Sequence, residues 1–223
     1  MYKNDDNLFV NEKKFETFHL TTTKLCGNMK NSEERNLFCK TVGIEAKKIV
    51  FANQVHGTSV KKVSVSDCNK VIDCCDGLIT GDKDIMLCIF TADCMPVFMA
   101  SRDYSVVAMV HAGWRGLAGG IIESAVIKFL KDFGISPRDI FTYIGPHILQ
   151  CCYQVGDELK KAFNVASDKE YFSLSEQAET QMKKLGIKRI YASTRCSCHE
   201  YEMFHSYRRD RTEARMMSLI KRK

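Results

Sequence analysis

Along most of the chain, apolar residues come in short runs closed by turn formers, and that pattern predicts strands. Segments 85–90 and 106–110 are rich in branched or bulky side chains and suit buried strands, and 49–55 repeats the design. Segment 15–20 alternates apolar and polar, as a half-exposed strand does, while 1–10 supplies an edge strand. Further strands are expected at 59–65, 76–80, 140–146, 187–192 and 203–207, with 214–220 readable as strand or helix. Helical periodicity shows elsewhere. Ser32 can cap a helix over 33–42 that Gly43 stops, and 117–133 carries Ile121, Ile122, Ala125, Val126, Phe129 and Leu130 before Gly134. Segments 157–163 and 175–185 read as helices too, the second closed by Gly186.

Three of the strand-like runs end in polar residues able to bind metal: His56, Cys94 and His111. A buried strand holds its terminal residues rigidly, which a site with sub-ångström tolerances requires. Gly113, Gly116, Gly119 and Gly120 gather around the start of the 117–133 helix. They either leave backbone N–H groups open to an anion or allow tight packing.

A chain of 223 residues can bury a substantial core as one domain, or at most two tightly packed halves. Its eleven cysteines are an odd number, with neighbours at Cys74-Cys75 and Cys151-Cys152 and no leader sequence ahead of them. That usage speaks for free thiols in a reducing cytoplasm. Asp93 and Pro96 interrupt the longest apolar stretch, so no bilayer span is expected. The net charge of +6 is spread through Lys-rich segments without aromatic interleaving, the pattern of a solvated surface rather than a nucleic-acid footprint.

Six blocks, in order, carry a resemblance: Asn53-Gln54-Val55-His56-Gly57, Thr91-Ala92-Asp93-Cys94-Met95-Pro96-Val97, His111-Ala112-Gly113-Trp114-Arg115-Gly116-Leu117, Ile144-Gly145-Pro146, Cys152-Tyr153-Gln154-Val155-Gly156 and Ser206-Tyr207-Arg208-Arg209-Asp210. Together they resemble the YfiH-type family, also called laccase-domain or polyphenol oxidase proteins. The resemblance spans nearly the whole chain from Ile49 onward and implies one compact mixed α/β domain over 1–223, its β-sheets lying between outer helices. It also implies a zinc site at His56, Cys94 and His111, with copper as the other metal attached to the family. The implied activity is phosphorolysis of inosine, adenosine or methylthioadenosine, with adenosine deamination beside it. A polyphenol oxidase label and a peptidoglycan-editing role are attached to the same family.

Two imidazoles and one thiolate leave a fourth tetrahedral position open, the arrangement of catalytic zinc. Asp93, beside Cys94, either shuttles protons or, on the opposite strand face, holds the structure. Phosphorolysis also needs a bound phosphate, for which the planar forks of Arg115, Arg208, Arg209 and Arg35 are candidates, each otherwise a surface ion pair. Two positions depart from the family pattern. Lys24 stands where relatives carry Arg and cannot reproduce a bidentate contact, and His147 replaces a small residue after Gly145-Pro146, where it would reshape the pocket mouth.

Cys196-x-Cys198-His199 raises a second metal site, though it lacks a partner pair at zinc-ribbon spacing. Tyr153 and Trp114 read as core or pocket walls, one of them able to stack on a purine. Three classes stay open: a zinc-dependent purine nucleoside enzyme, a cysteine hydrolase using Cys94 and His111 on a peptidoglycan precursor, and a copper oxidase. The last is weakened because a multicopper laccase needs many more histidines than six.

Overall fold

The short apolar runs assemble into two six-stranded mixed sheets in the computed structural model, which describes residues 8–168 and 170–223. In chain order the elements are β1 (Phe9–Val10), β2 (Phe18–Thr22), α1 (Ser32–Val42), β3 (Ile49–Ala52), β4 (Val60–Lys62), β5 (Val71–Ile72), β6 (Gly77–Thr80), β7 (Met86–Thr91) and β8 (Met95–Ser101). There follow β9 (Val107–Ala112), α2 (Trp114–Gly119), α3 (Ile121–Phe133), β10 (Ile140–Ile144), α4 (Asp157–Ala162), α5 (Leu174–Lys184), β11 (Arg189–Ala192), α6 (Tyr207–Asp210) and β12 (Met216–Lys221). The first sheet runs β1-β2-β12-β7-β3-β5 and the second β11-β10-β8-β9-β6-β4.

Side-chain alternation explains the layers. On β7, Met86 and Cys88 join the cluster under α1, whereas Leu87 and Ile89 face the other sheet. On β8, Phe98 and Ala100 meet that inter-sheet core, while Val97 and Met99 pack against α3 and α5. The order is therefore helix, sheet, sheet, helix, and the central strands are apolar on both faces because both are covered. The compact mixed α/β fold expected from the sequence is the fold observed.

Some expectations are corrected. The helix expected over 117–133 is two helices, because Gly120 adopts a left-handed φ of 93° between α2 and α3. Segment 203–207 is not a strand: its residues turn into α6, whose N-cap Ser206 accepts the Arg209 N–H. The 214–220 ambiguity resolves as strand β12, buried between β2 and β7. Of the proposed edge strand over 1–10, residues 1–7 lie outside the described residues, and Phe9–Val10 does form the sheet edge. No described helix is long and apolar enough to cross a membrane.

Candidate active site

The site is built by strand register. Antiparallel β8 and β9 pair Pro96 with His111 and Met95 with Ala112, which sets Cys94, one residue before β8, opposite Gly113. On the other flank β6 pairs Gly77 with Val110, and the Asp76 carbonyl accepts the His111 N–H at 2.7 Å. His111, Cys94 and Asp76 thus stand side by side on three adjacent strands. His56 comes from farther off. Its strand, β3, stops at Ala52, and the loop 53–57 returns to the site with His56 at φ 59°.

Asp76 ties that loop down. Its fully buried carboxylate accepts the backbone N–H groups of Val55, His56 and Gly57 at 3.2, 2.9 and 2.7 Å, and His111 Nδ1 at 2.7 Å. Burial disfavours the ionised carboxyl, but the His111 ring and these N–H groups hold its pKa below the usual value. The bond also fixes the tautomer: Nδ1 donates to Asp76, leaving Nε2 for the site. Asp76 was not among the site residues expected from the sequence, where it read as an ordinary strand opener.

Cys94 Sγ lies 3.9 Å from His56 Nε2, and one ligand atom from each of His56, Cys94 and His111 falls within 4.8 Å of the others. Burial pushes the Cys94 thiol up, yet His111 and His56 bring its pKa down to about 6. Burial also opposes charge on His111, and the Cys94 and Asp76 anions raise it to about 9. The donor set thus favours a thiolate beside a positive charge. A divalent cation supplies that charge, so two imidazoles and a thiolate fit a metal of the zinc type. No other His, Cys, Asp or Glu among the described residues joins the group.

Glycine is needed beside the donors. A Cβ on Gly113 would stand 3.0 Å from His56 Cδ2 and 3.1 Å from Cys94 Sγ, and one on Gly116 would meet the Gly57 carbonyl at 2.8 Å. These glycines serve close packing of α2 on the His56 loop rather than an open anion cradle.

The three donors line a cavity of about 850 Å³. Its wall carries the rings of Phe51, Phe90, Trp114, Tyr153 and Tyr207 and the cations Lys30, Arg35, Arg115, Arg208, Arg211 and Arg215, against Asp93 and Glu213 as lining acids. Arg35 stacks over the parallel Phe51 and Phe90 rings and donates to the Met29 and Lys30 carbonyls. Arg208 lies over Tyr153 and donates to the Gln154 carbonyl at 2.8 Å. Arg115 stacks on Trp114 and pairs with Glu158 in an exposed position.

The remaining expected residues fall elsewhere or act differently. Arg209 does not line the cavity; its guanidinium donates to the Ser197, Cys198 and Phe204 carbonyls and pairs with Asp210. Lys24 lies near the Tyr201 ring, also outside the cavity lining. Asp93 borders the cavity, but its oxygens accept Ser197 Oγ and the Arg208 N–H, both at 2.7 Å. At φ 86° it sits in a left-handed turn linking the two sheets, so strand alternation does not govern its direction. His147 is fully buried, bonded to the Gly145 carbonyl, and not at the pocket mouth.

A sequence model of the multi-copper polyphenol oxidoreductase laccase family matches residues 10–223. The chain belongs to that family. The purine nucleoside phosphorylase YlmD of Geobacillus stearothermophilus is 34% identical over 197 residues, 78% of this chain and 72% of the relative. The purine nucleoside phosphorylase YfiH of Escherichia coli is 31% identical over 207 residues, 87% and 83% of the two chains. Among solved structures, YlmD of G. stearothermophilus superposes with a TM-score of 0.91 at 27% identity, covering 100% of this chain and 98% of that one. The hypothetical protein YfiH of Bacillus licheniformis gives 0.90 at 28% identity, covering 100% and 99%.

Within this laccase-family cavity, Lys30, Arg211 and Arg215 were missed by sequence reasoning. A usable signal existed: Arg208, Arg209, Arg211 and Arg215 crowd one short segment, and such crowding on a cavity rim raises the local positive potential.

Proposed function

We propose that this chain is a metal-dependent purine nucleoside phosphorylase whose ion is held by His56, Cys94 and His111. One observation carries the reading: a three-donor cluster, aromatic walls and an excess of cations share a single cavity. Relatives named purine nucleoside phosphorylase agree with it.

Phosphorolysis forms a bond from a phosphate oxygen to C1′ of the ribose as the bond from C1′ to the base nitrogen breaks. The chain must therefore hold a dianion against the sugar and a flat base beyond it. Arg208, Arg211, Arg215, Arg35 and Lys30 supply charge for phosphate, and a guanidinium fork can hold two of its oxygens at once. Tyr153, Trp114 and Tyr207 offer faces on which a purine stacks. Arg209 and Lys24 are left out of this role, and Asp93 becomes a positioning residue that seats Arg208 through its backbone. A zinc ion in the donor set supplies Lewis acidity, the chemistry that deamination of adenosine at C6 also needs. Zinc suits two nitrogens and one sulfur, and copper competes for the same donors. A multicopper oxidase centre is disfavoured, because His19, His147 and His205 bond main-chain groups elsewhere.

The test is chromatographic. Metal-replete protein with inosine, adenosine or methylthioadenosine should release free base only when phosphate is present, and ammonia release from adenosine measures deamination separately. No base from any of the three overturns the reading.

A second reading draws on a specific geometry. Cys94, His111 and Asp76 line up as nucleophile, base and orienting carboxylate, the arrangement of a cysteine hydrolase. On a peptidoglycan precursor, the Cys94 thiolate would attack an amide carbon, the C–N bond would break with His111 giving its proton to the leaving amine, and water would then hydrolyse the thioester. Metal-free protein that turns over such a substrate and loses activity when Cys94 is alkylated would favour it.

A further inference from the structure

Away from the cavity donors, a second set of sulfurs converges. Cys151 and Cys152 follow β10, and Cys196 follows β11, two strands that pair in parallel. The loops beyond them stay joined: His147 bridges Cys196, and the Ser197 N–H donates to the His147 carbonyl at 2.9 Å. Cys151 Sγ lies 3.7 Å from Cys152 Sγ and 3.8 Å from Cys196 Sγ, and all three sulfurs fall within 4.8 Å of one another. Sulfurs bound to one tetrahedral ion at about 2.3 Å stand about 3.8 Å apart, so the observed spacings suit a shared ion.

A second observation points the same way. Cys196 Sγ accepts two backbone N–H groups, from Leu149 and His199, each at 3.4 Å. N–H groups turned toward one sulfur are the outer partners that orient a metal-ligating side chain. Cys196 is buried and Cys151 exposed, which leaves solvent a path to the cluster. Of the Cys196-x-Cys198-His199 motif only Cys196 joins this group, and its partners are the adjacent pair Cys151-Cys152.

We infer that Cys151, Cys152 and Cys196 form a second metal site, distinct from His56, Cys94 and His111, that takes a thiophilic ion of the zinc or cuprous class. Each thiol gives its proton to solvent as its sulfur takes the ion, and no oxidation state changes. Such an ion clamps the loop leading to Tyr153 onto the loop carrying Ser197, whose hydroxyl donates to Asp93 beside Cys94. The clamp stiffens one side of the cavity without touching substrate.

The full chain with Cys94→Ala lacks the sulfur of the first site, so its thiolate signals report the second alone, whatever the first site does. Reduced protein of this background is titrated anaerobically with Co²⁺ in place of zinc, and separately with Cu⁺ against a chromophoric chelator. We expect one equivalent bound, with a sulfur-to-cobalt charge-transfer band of about three thiolates in strength. Adding Cys151→Ser should remove about a third of that band and weaken binding at least tenfold. No band in the Cys94→Ala background, or a band indifferent to Cys151→Ser, overturns the inference. So does a Cys151–Cys196 disulfide, found by mass spectrometry, whose reduced form takes up neither ion. Cys196→Ser tests the buried ligand; should it fail to fold, the exposed Cys151→Ser decides.

Discussion

Asp76→Asn is the perturbation that most directly tests how the site is held. The carboxylate receives four N–H groups while fully buried, and an amide of the same shape keeps one oxygen but turns its other end into a donor. If the amide oxygen stays with His111 and His56, the Gly57 and Val55 N–H groups face an NH₂. Gly57, at 2.7 Å, loses a strong bond, and Val55, at 3.2 Å, a weaker one. A hydrogen bond to a charged group contributes about 1.5–3 kcal/mol, and removal of the buried charge returns part of the loss, so the net cost is about 2–4 kcal/mol. For a chain of this size that is a fall of about 1–2 M in the urea midpoint at unchanged slope. The same change loosens the His111 ring and the His56 loop, so zinc affinity should drop about 10–100-fold. Urea melts of the metal-free protein and chelator competition on the loaded protein read the two effects separately. A midpoint within about 0.2 M of wild type, with zinc affinity unchanged, would refute the idea that Asp76 organises the site.

Other outcomes follow from the same geometry. Gly113→Ala forces a methyl to 3.0 Å from His56 and 3.1 Å from Cys94, so metal affinity should fall at least tenfold while the melting temperature moves by only a few degrees. Arg208→Lys removes a fork that stacks on Tyr153, and the KM for phosphate should rise about tenfold with little change in stability. Arg209→Ala should do the reverse, costing about 1–3 kcal/mol in a denaturation curve because three carbonyls lose their donor, and leaving the phosphate KM near wild type. His19 supplies a pH dependence. Burial lowers its pKa, and its Nε2 accepts the Glu12 N–H, so the folded state keeps it neutral. The unfolded chain binds the extra proton near pH 6.5, so stability is full above that pH and declines as pH falls below it towards the lower folded pKa. Denaturation midpoints at pH 7.5 and 5.5 should differ, and His19→Gln should flatten the difference.

Much of this was legible because both signals are local. The strands around Leu87, Val97 and Val110 are apolar on both faces, so their runs were unbroken and easy to see. Their ends fixed where Cys94 and His111 had to be. Asp76 stayed hidden because its meaning comes from cross-strand register with His111, a relation between distant residues that no run of sequence reveals. Asp93 was readable from the sequence only as two alternatives, proton transfer or a structural role, because its direction is set by a left-handed turn that delivers its carboxylate to Ser197 and Arg208. Arg209 and Arg208 are neighbours with opposite fates, because a four-residue helix turns one side chain toward the cavity and the other onto carbonyls behind it.

The charge balance of the donor cluster explains why one geometry supports two readings of its chemistry. With Asp76 and Cys94 ionised and His111 protonated, the trio, of which Asp76 and His111 are buried and Cys94 half-buried, carries a net negative charge. Bringing such a charge out of water is costly unless it is compensated nearby. A thiolate beside an imidazolium answers part of that need and makes a nucleophile. A divalent ion answers it fully with His111 neutral, since two anions then face two positive charges. The second state leaves no uncompensated charge in the buried layer, and so the same residues that imitate a hydrolase triad should hold zinc more readily than they hold a free thiolate.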